Sequence, residues 1–173
     1  IETIVSAAEI LKNNDEIKIV MVGSGSRSSF LKEEIDKRCL SNLIVAGRYP
    51  SDMMPAIFNY SQVLLVSLAK KDSLSWTVPC KVQAYFAAGK PVVASLDGEG
   101  ARIVNESGAG RVCPAEDSHS LAASILELYA MSDIERSEMG KKGRMYAERH
   151  YHPTKIAKQL LSYFLTIIKN KGK

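Results

Sequence analysis

Short apolar runs alternate along the chain with longer stretches whose apolar residues recur every three or four positions. The runs are Ile17–Val22, Leu43–Ala46, Val63–Val66, Pro91–Ser95 and a weaker last one, Gly110–Cys113. Their length and β-branched content predict strands. Between and around them the pattern predicts helices. The first spans Ile1–Leu11, with Ile4, Val5, Ala8 and Leu11 on one face, and the second spans Arg27–Cys39. A third covers Asp52–Tyr60, with Ser51 placed to cap it, and a fourth starts at Pro79. Ala101–Glu106 follows, then a helix capped by Asp117 or Ser118 and ending near Ala130. Asp133–Arg149 and a last helix from Pro153 to about Asn170 complete the set, and the Lys169–Lys173 tail is expected to fray. Ser67–Thr77 reads as a polar loop. Strand–helix alternation with short connections implies an α/β fold, a Rossmann-like doubly wound parallel sheet with additional C-terminal helices.

The segment Val78–Ser95 is the most sharply written. Pro79 suits a first helical turn, where a missing N–H costs nothing. Gly89 suits the left-handed position after the last turn, and Pro91 begins a strand but cannot continue a helix. Val92, Val93 and Ala94 form a run of the kind buried on both faces of a parallel sheet.

Composition narrows this picture little. At 173 residues, 46% hydrophobic and 24% charged, the chain fits one ordinary globular domain. No apolar run approaches the roughly 20 residues that span a bilayer, and Ile1-Glu2-Thr3-Ile4 does not read as a signal peptide. A net charge of +4 permits attraction to anions without demanding it. Cys39, Cys80 and Cys113 are odd in number and form no C-x-x-C pair, which disfavours a metal site or disulfide frame and fits a reducing cytoplasm. The chain opens on a helix with no strand before it, as an excised domain would.

Ligands of open parallel sheets bind beyond the carboxyl ends of the strands. That rule selects the loops at Gly23–Ser26, Gly47–Pro50, Ser67–Lys81 and Leu96–Gly100. Gly23 and Gly25 would let backbone approach a phosphate, or simply form a tight turn. Position 28 is serine and no acid ends the second strand, so a dinucleotide fingerprint is disfavoured. Lys81 sits one turn into a helix, where its charge opposes the dipole unless an anion is bound. Ser75 and Thr77 offer hydroxyls to phosphate oxygens, and Trp76 either packs beneath a sugar ring or anchors the loop to the core. Glu99 is a carboxylate at the sheet edge, suited to sugar hydroxyls or to capping the next helix. His119, His150 and His152 lie in no nucleophile motif and read as structural. Lys141, Lys142, Arg144 and Arg149 read as a solvated helix face, with use on an anionic membrane left open. No RNA-binding motif accompanies them.

Ala84-Tyr85-Phe86-Ala87-Ala88-Gly89-Lys90-Pro91-Val92 resembles the E-A-M-A-x-G-x-P-V segment of the GT-B glycosyltransferases, specifically the retaining family 4. The surrounding P-x-K-x-Q-x-Y-x-A-x-G-K-P pattern, followed by Asp97-Gly98-Glu99-Gly100-Ala101, is similar to a bacterial subgroup that assembles capsular and O-antigen polysaccharides of the cell envelope. The match runs from about Ile17 to His150. The resemblance implies the C-terminal, donor-binding domain of an enzyme that moves a sugar from a nucleotide-diphosphate sugar to a glycan or lipid-linked acceptor. It places Gly23 and Gly25 near the donor or interdomain cleft, and Gly47, Arg48 and Tyr49 near the base. Ser75, Thr77 and Lys81 fall near the sugar and diphosphate. Two family glutamates are replaced by Trp76 and Ala84, leaving Gln83 or Glu99 as substitutes. No cofactor or metal is expected, the reaction would retain anomeric configuration, and the parent protein would be cytoplasmic, with peripheral membrane contact open. A separate N-terminal domain would hold the acceptor, so the domain alone should bind donor weakly and catalyse nothing. The rival readings are a nucleotide-sugar 2-epimerase and a non-catalytic Rossmann-type nucleotide-binding module.

Overall fold

A computed structural model describes residues 1–171. The elements run α1 (Glu2–Ile10), β1 (Ile19–Val22), α2 (Ser28–Arg38), β2 (Leu43–Gly47), a short 3-10 turn (Ser51–Met53), α3 (Met54–Tyr60) and β3 (Leu64–Ser67). They continue with α4 (Asp72–Ser75), α5 (Cys80–Ala88), β4 (Val92–Ser95), α6 (Glu99–Ser107), β5 (Gly110–Cys113), α7 (Ser118–Ala130), α8 (Asp133–His150) and α9 (Pro153–Lys171). Every strand pairing is parallel, and helices flank the sheets, as the alternating pattern requires.

The hydrogen-bonded ladder is split where a single sheet was expected. β1 pairs with β2, while β3, β4 and β5 form a separate three-stranded sheet. The β1–β2 register slips between Met21 and Val22, so that Val22 faces Gly47. Gly47 reaches this position with φ of 78°, in the left-handed region.

β4 explains its own composition. Val92, Val93 and Ala94 are completely buried, because successive side chains point to opposite, equally covered faces. Val93 enters a core shared with α1, α2 and α7 residues, including Val5, Leu31, Leu121 and Leu128. Val92 and Ala94 enter a second core with Phe86, Leu96, Ile103 and Val104. Burying Phe86 alone contributes roughly 2–3 kcal/mol. Asn42 crosses from one layer to another, donating from Nδ2 to Ala8 O at 2.8 Å.

Local signals are met in most places and corrected in a few. Gly89 ends α5 at φ 69°, as its position predicts. Pro79 is the cap residue before α5 rather than part of its first turn. Asp117, not Ser118, caps α7, accepting from the Ser120 N–H. Ser51 does not cap a helix; it opens the 3-10 turn after Pro50, and α3 begins only at Met54. Ser67–Thr77 is not wholly a loop, since α4 lies inside it. α6 starts two residues earlier than Ala101, at Glu99, because Gly98 supplies the sharp turn. The tail is helical through Lys171, and the rest of the expected frayed segment lies outside the described residues. Among the described residues, no helix is long and apolar enough to cross a membrane.

Candidate functional site

The loops at the carboxyl ends of the strands, with the first turns of α5 and α6, carry the candidate site residues, and they gather into two clusters. The first joins the ends of β1 and β2. The Gly23 N–H donates to Gly47 O at 2.7 Å, locking the two loops together. The Gly25 N–H donates to Ser28 Oγ at 3.0 Å, which in turn donates to Gly25 O at 2.8 Å. Both glycine N–H groups are therefore already engaged. Space opposite Gly23, Gly25 and Gly47 is nevertheless open, with no atom within 4 Å of where a Cβ would stand. Arg48 and Tyr49 are exposed beside them. Arg48 forms no ion pair among the described residues.

The second cluster is clamped by a glycine. Gly98 adopts φ 72° and ψ −138°, a conformation essentially restricted to glycine. A Cβ there would lie 2.0 Å from Ser75 O. Only a residue without a side chain lets the β4–α6 loop rest on the end of α4. Two residues on, a Cβ on Gly100 would lie 3.1 Å from Pro79 Cδ. The N-termini of α5 and α6 are consequently neighbours. Among the described residues, the N–H groups of Cys80 and Lys81 in α5 and of Glu99, Gly100 and Ala101 in α6 have no backbone acceptor. Two positive dipole ends with free donors thus stand side by side.

Side chains around this edge divide by whether they are free. Lys81 is exposed and without an ion-pair partner among the described residues. Gln83 is half-buried and makes no side-chain hydrogen bond among them. Ser75 Oγ donates to Asp72 O at 2.7 Å, and Thr77 Oγ1 to Leu74 O at 2.9 Å. Those hydroxyl protons hold α4 together, so their oxygens keep only acceptor capacity. Trp76, between them, is 84% exposed. Its expected alternative role as a core anchor is thereby excluded. Asp97 accepts from the Ala115 N–H at 3.2 Å and fastens the loop to the end of β5.

Glu99 has a partner that sequence reasoning missed. Arg102 Nε and Nη2 donate to its two carboxylate oxygens at 2.8 and 2.6 Å. These bonds hold the Glu99 carboxyl below the usual carboxylate range. Arg102 also pairs with Glu106. The signal was the three- and four-residue spacing of opposite charges on one helix. The histidines stand apart from the site where their contacts are given: His150 stacks on Tyr146 with ring centroids 4.2 Å apart. Among the described residues no group of His, Cys, Asp or Glu is arranged to hold a metal ion.

Parallel layered sheets with flanking helices, glycine loops at their carboxyl ends and paired helix N-termini define a Rossmann-like class of domain. The group 1 glycosyl transferase family model matches residues 1–131, and the chain belongs to that family. A probable glycosyltransferase, WbjE of Pseudomonas aeruginosa, is 29% identical over 157 residues, covering 87% of this chain and 37% of WbjE. HepE of Anabaena, crystallised with UDP-glucose, superposes with a TM-score of 0.79 at 15% identity, over 95% of this chain and 44% of HepE. The C-terminal domain of LpcC, a group 1 family protein of Francisella tularensis, superposes at 0.71 and 16% identity, over 88% of this chain and 79% of that domain. The fold is that of the C-terminal half of a GT-B glycosyltransferase. The chain spans less than half the length of WbjE and HepE.

Proposed function

We propose that this chain is the donor-binding domain of a retaining glycosyltransferase that uses a nucleotide-diphosphate sugar. The observation that carries this reading is the close approach of Gly100 to Pro79, which sets the N-terminus of α5, in whose first turn Lys81 lies, beside the N-terminus of α6. Free N–H groups, two dipole ends and an unpaired ammonium suit a diphosphate. As the sugar leaves, negative charge grows on that diphosphate, and preorganised donors act where charge develops. Lys81 and the helix N–H groups would take this load, with no metal or cofactor needed. Arg48 and Tyr49 would meet the base across the open face of Gly47, and Gly23 and Gly25 would let the ligand pass close to the backbone. Glu99 would accept hydrogen bonds from sugar or ribose hydroxyls through lone pairs that Arg102 leaves free, with Gln83, Ser75 and Thr77 adding polar contacts. The acceptor, a glycan or lipid-linked glycan of bacterial polysaccharide assembly, would be held by a further domain on the cytoplasmic face of the membrane. HepE, whose complex contains UDP-glucose, lends support to the ligand class.

Calorimetric titration with UDP, GDP, ADP and NAD tests the reading. One nucleoside diphosphate is expected to bind saturably, and Lys81→Ala should weaken it roughly five- to tenfold. Binding of NAD alone would overturn it in favour of a dinucleotide module.

A further inference from the structure

The net positive charge of the protein lies in its last segment. Residues 153–173 hold five lysines and no acidic residue. The full chain is +4, so residues 1–152 together sum to −1. The preceding helix α8, of nearly equal length, sets four acids against its five Lys and Arg residues. The lysines of α9 also share a side. At the α-helical turn per residue, Lys155, Lys158 and Lys169 fall within one arc of roughly 60°, together with Ser162. The opposite arc, roughly 140° wide, is apolar and holds Ile156, Leu160, Tyr163, Phe164, Ile167 and Ile168. All six are exposed, Phe164 to 59% and Ile168 to 66%, and none belongs to either core.

We infer that α9 is an interfacial helix that lies along an anionic lipid surface with its apolar arc in the headgroup–acyl boundary. This goes beyond the donor-site reading and does not depend on it. A contiguous apolar face of this width marks an interaction surface. The single sign of its charge decides the class of partner. A helix with lysines on one face and aliphatic and aromatic residues on the other is the pattern that adsorbs to anionic bilayers. A second copy of the helix would bring its own five lysines against these, with no acid to answer them. The lysines are also available. Lys155 Nζ reaches only a main-chain carbonyl, Glu148 O, at 3.3 Å. Lys158 and Lys169 form no ion pair among the described residues. When the apolar arc is buried, the lysines stay within about one Debye length, roughly 8–10 Å, of the headgroups, and their long stems bring the ammonium groups nearer. Among the described residues no helix can cross a membrane, so α9 would lie in the plane, along about 28 Å of surface. The basic residues of α8 are neutralised by their own acids, which leaves α9 as the segment that carries the attraction.

Co-sedimentation of the full chain with lipid vesicles tests this. Vesicles of equimolar phosphatidylcholine and phosphatidylglycerol are expected to bind it at least about tenfold more tightly than phosphatidylcholine alone, and added salt should weaken the binding. Lys158→Gln combined with Lys169→Gln should weaken it roughly ten- to thirtyfold. Leu160→Gln combined with Phe164→Gln should weaken it at least about tenfold through the apolar arc. Because α9 contributes to neither core, these variants should keep the unfolding midpoint of the unmodified chain. Their nucleoside diphosphate titrations should also be unchanged, which keeps this test separate from that of the donor site. Equal binding to neutral and anionic vesicles, binding to neither, or binding that survives when the chain is ended after Tyr151 would overturn the inference. So would a concentration-dependent dimer, seen by sedimentation, that the Leu160 and Phe164 substitutions abolish, since the apolar face would then belong to a second copy.

Discussion

Gly98 carries the tightest steric demand in the candidate site. Its φ and ψ exclude other residues, and its missing side chain is what admits the Ser75 carbonyl. Gly98→Ala is expected to lower stability by at least about 2 kcal/mol, because backbone strain and overlap act together. A denaturant midpoint measures this, and an unchanged midpoint would mean that the loop rests elsewhere. Glu99 makes a different kind of prediction. Its folded pKa is depressed by the Arg102 hydrogen bonds, so any stability from this pair is present above the ordinary carboxylate pKa and fades as pH falls through the lowered value. Both side chains are solvent-exposed, so the effect is expected to weaken with salt. Arg102→Leu should move the Glu99 titration back up, observable by carboxyl chemical shift. A titration that does not move would assign the lowered value to another cause.

Helices here are held by two devices, caps at their ends and glycine seams along their sides. Ser132 forms a reciprocal capping box with Glu135 at the start of α8. Ser132→Ala should cost about 1 kcal/mol, read from thermal or chemical unfolding. Along the same helix, a Cβ on Gly140 would lie 2.1 Å from Gly89 O, so α8 crosses the end of α5 in near-backbone contact. This brings Gly143 against Phe86, whose side chain is fully buried. Phe86→Ala is expected to cost roughly 3–5 kcal/mol through lost transfer energy and a cavity. Since Phe86 sits on the helix that also carries Lys81, loosening it should weaken diphosphate binding as well. Retained binding in a destabilised variant would separate the two roles.

As a molecule, the chain has two cores back to back across β4 and a long last helix that contributes to neither. Every described residue from Pro153 to Lys169 is exposed, including Leu160, Phe164 and Ile168. The Lys155 ammonium reaches Glu148 O at 3.3 Å, a surface contact of small worth. Ending the chain after Tyr151 is therefore predicted to leave the thermal midpoint within about 2 °C. It should also reduce binding of a hydrophobic dye, because apolar surface is removed. A large fall in the midpoint would show that α9 packs in solution.

Element order, the parallel strands and the loops at their carboxyl ends were legible in the sequence, because period, β-branching and the Gly89–Pro91 punctuation are local properties. Each is written within a few residues and survives any tertiary arrangement. The early start of α6 was half legible: Asp97-Gly98 marked a turn, while the pressure of Ser75 on Gly98 did not show. α4 escaped because four residues carry no period. Three features belong to the tertiary structure alone. They are the break between the two sheets, the pairing of the α5 and α6 N-termini through Gly100 and Pro79, and the exposure of Trp76. All three depend on which distant segments meet, and contact between segments is settled by packing, not by propensity.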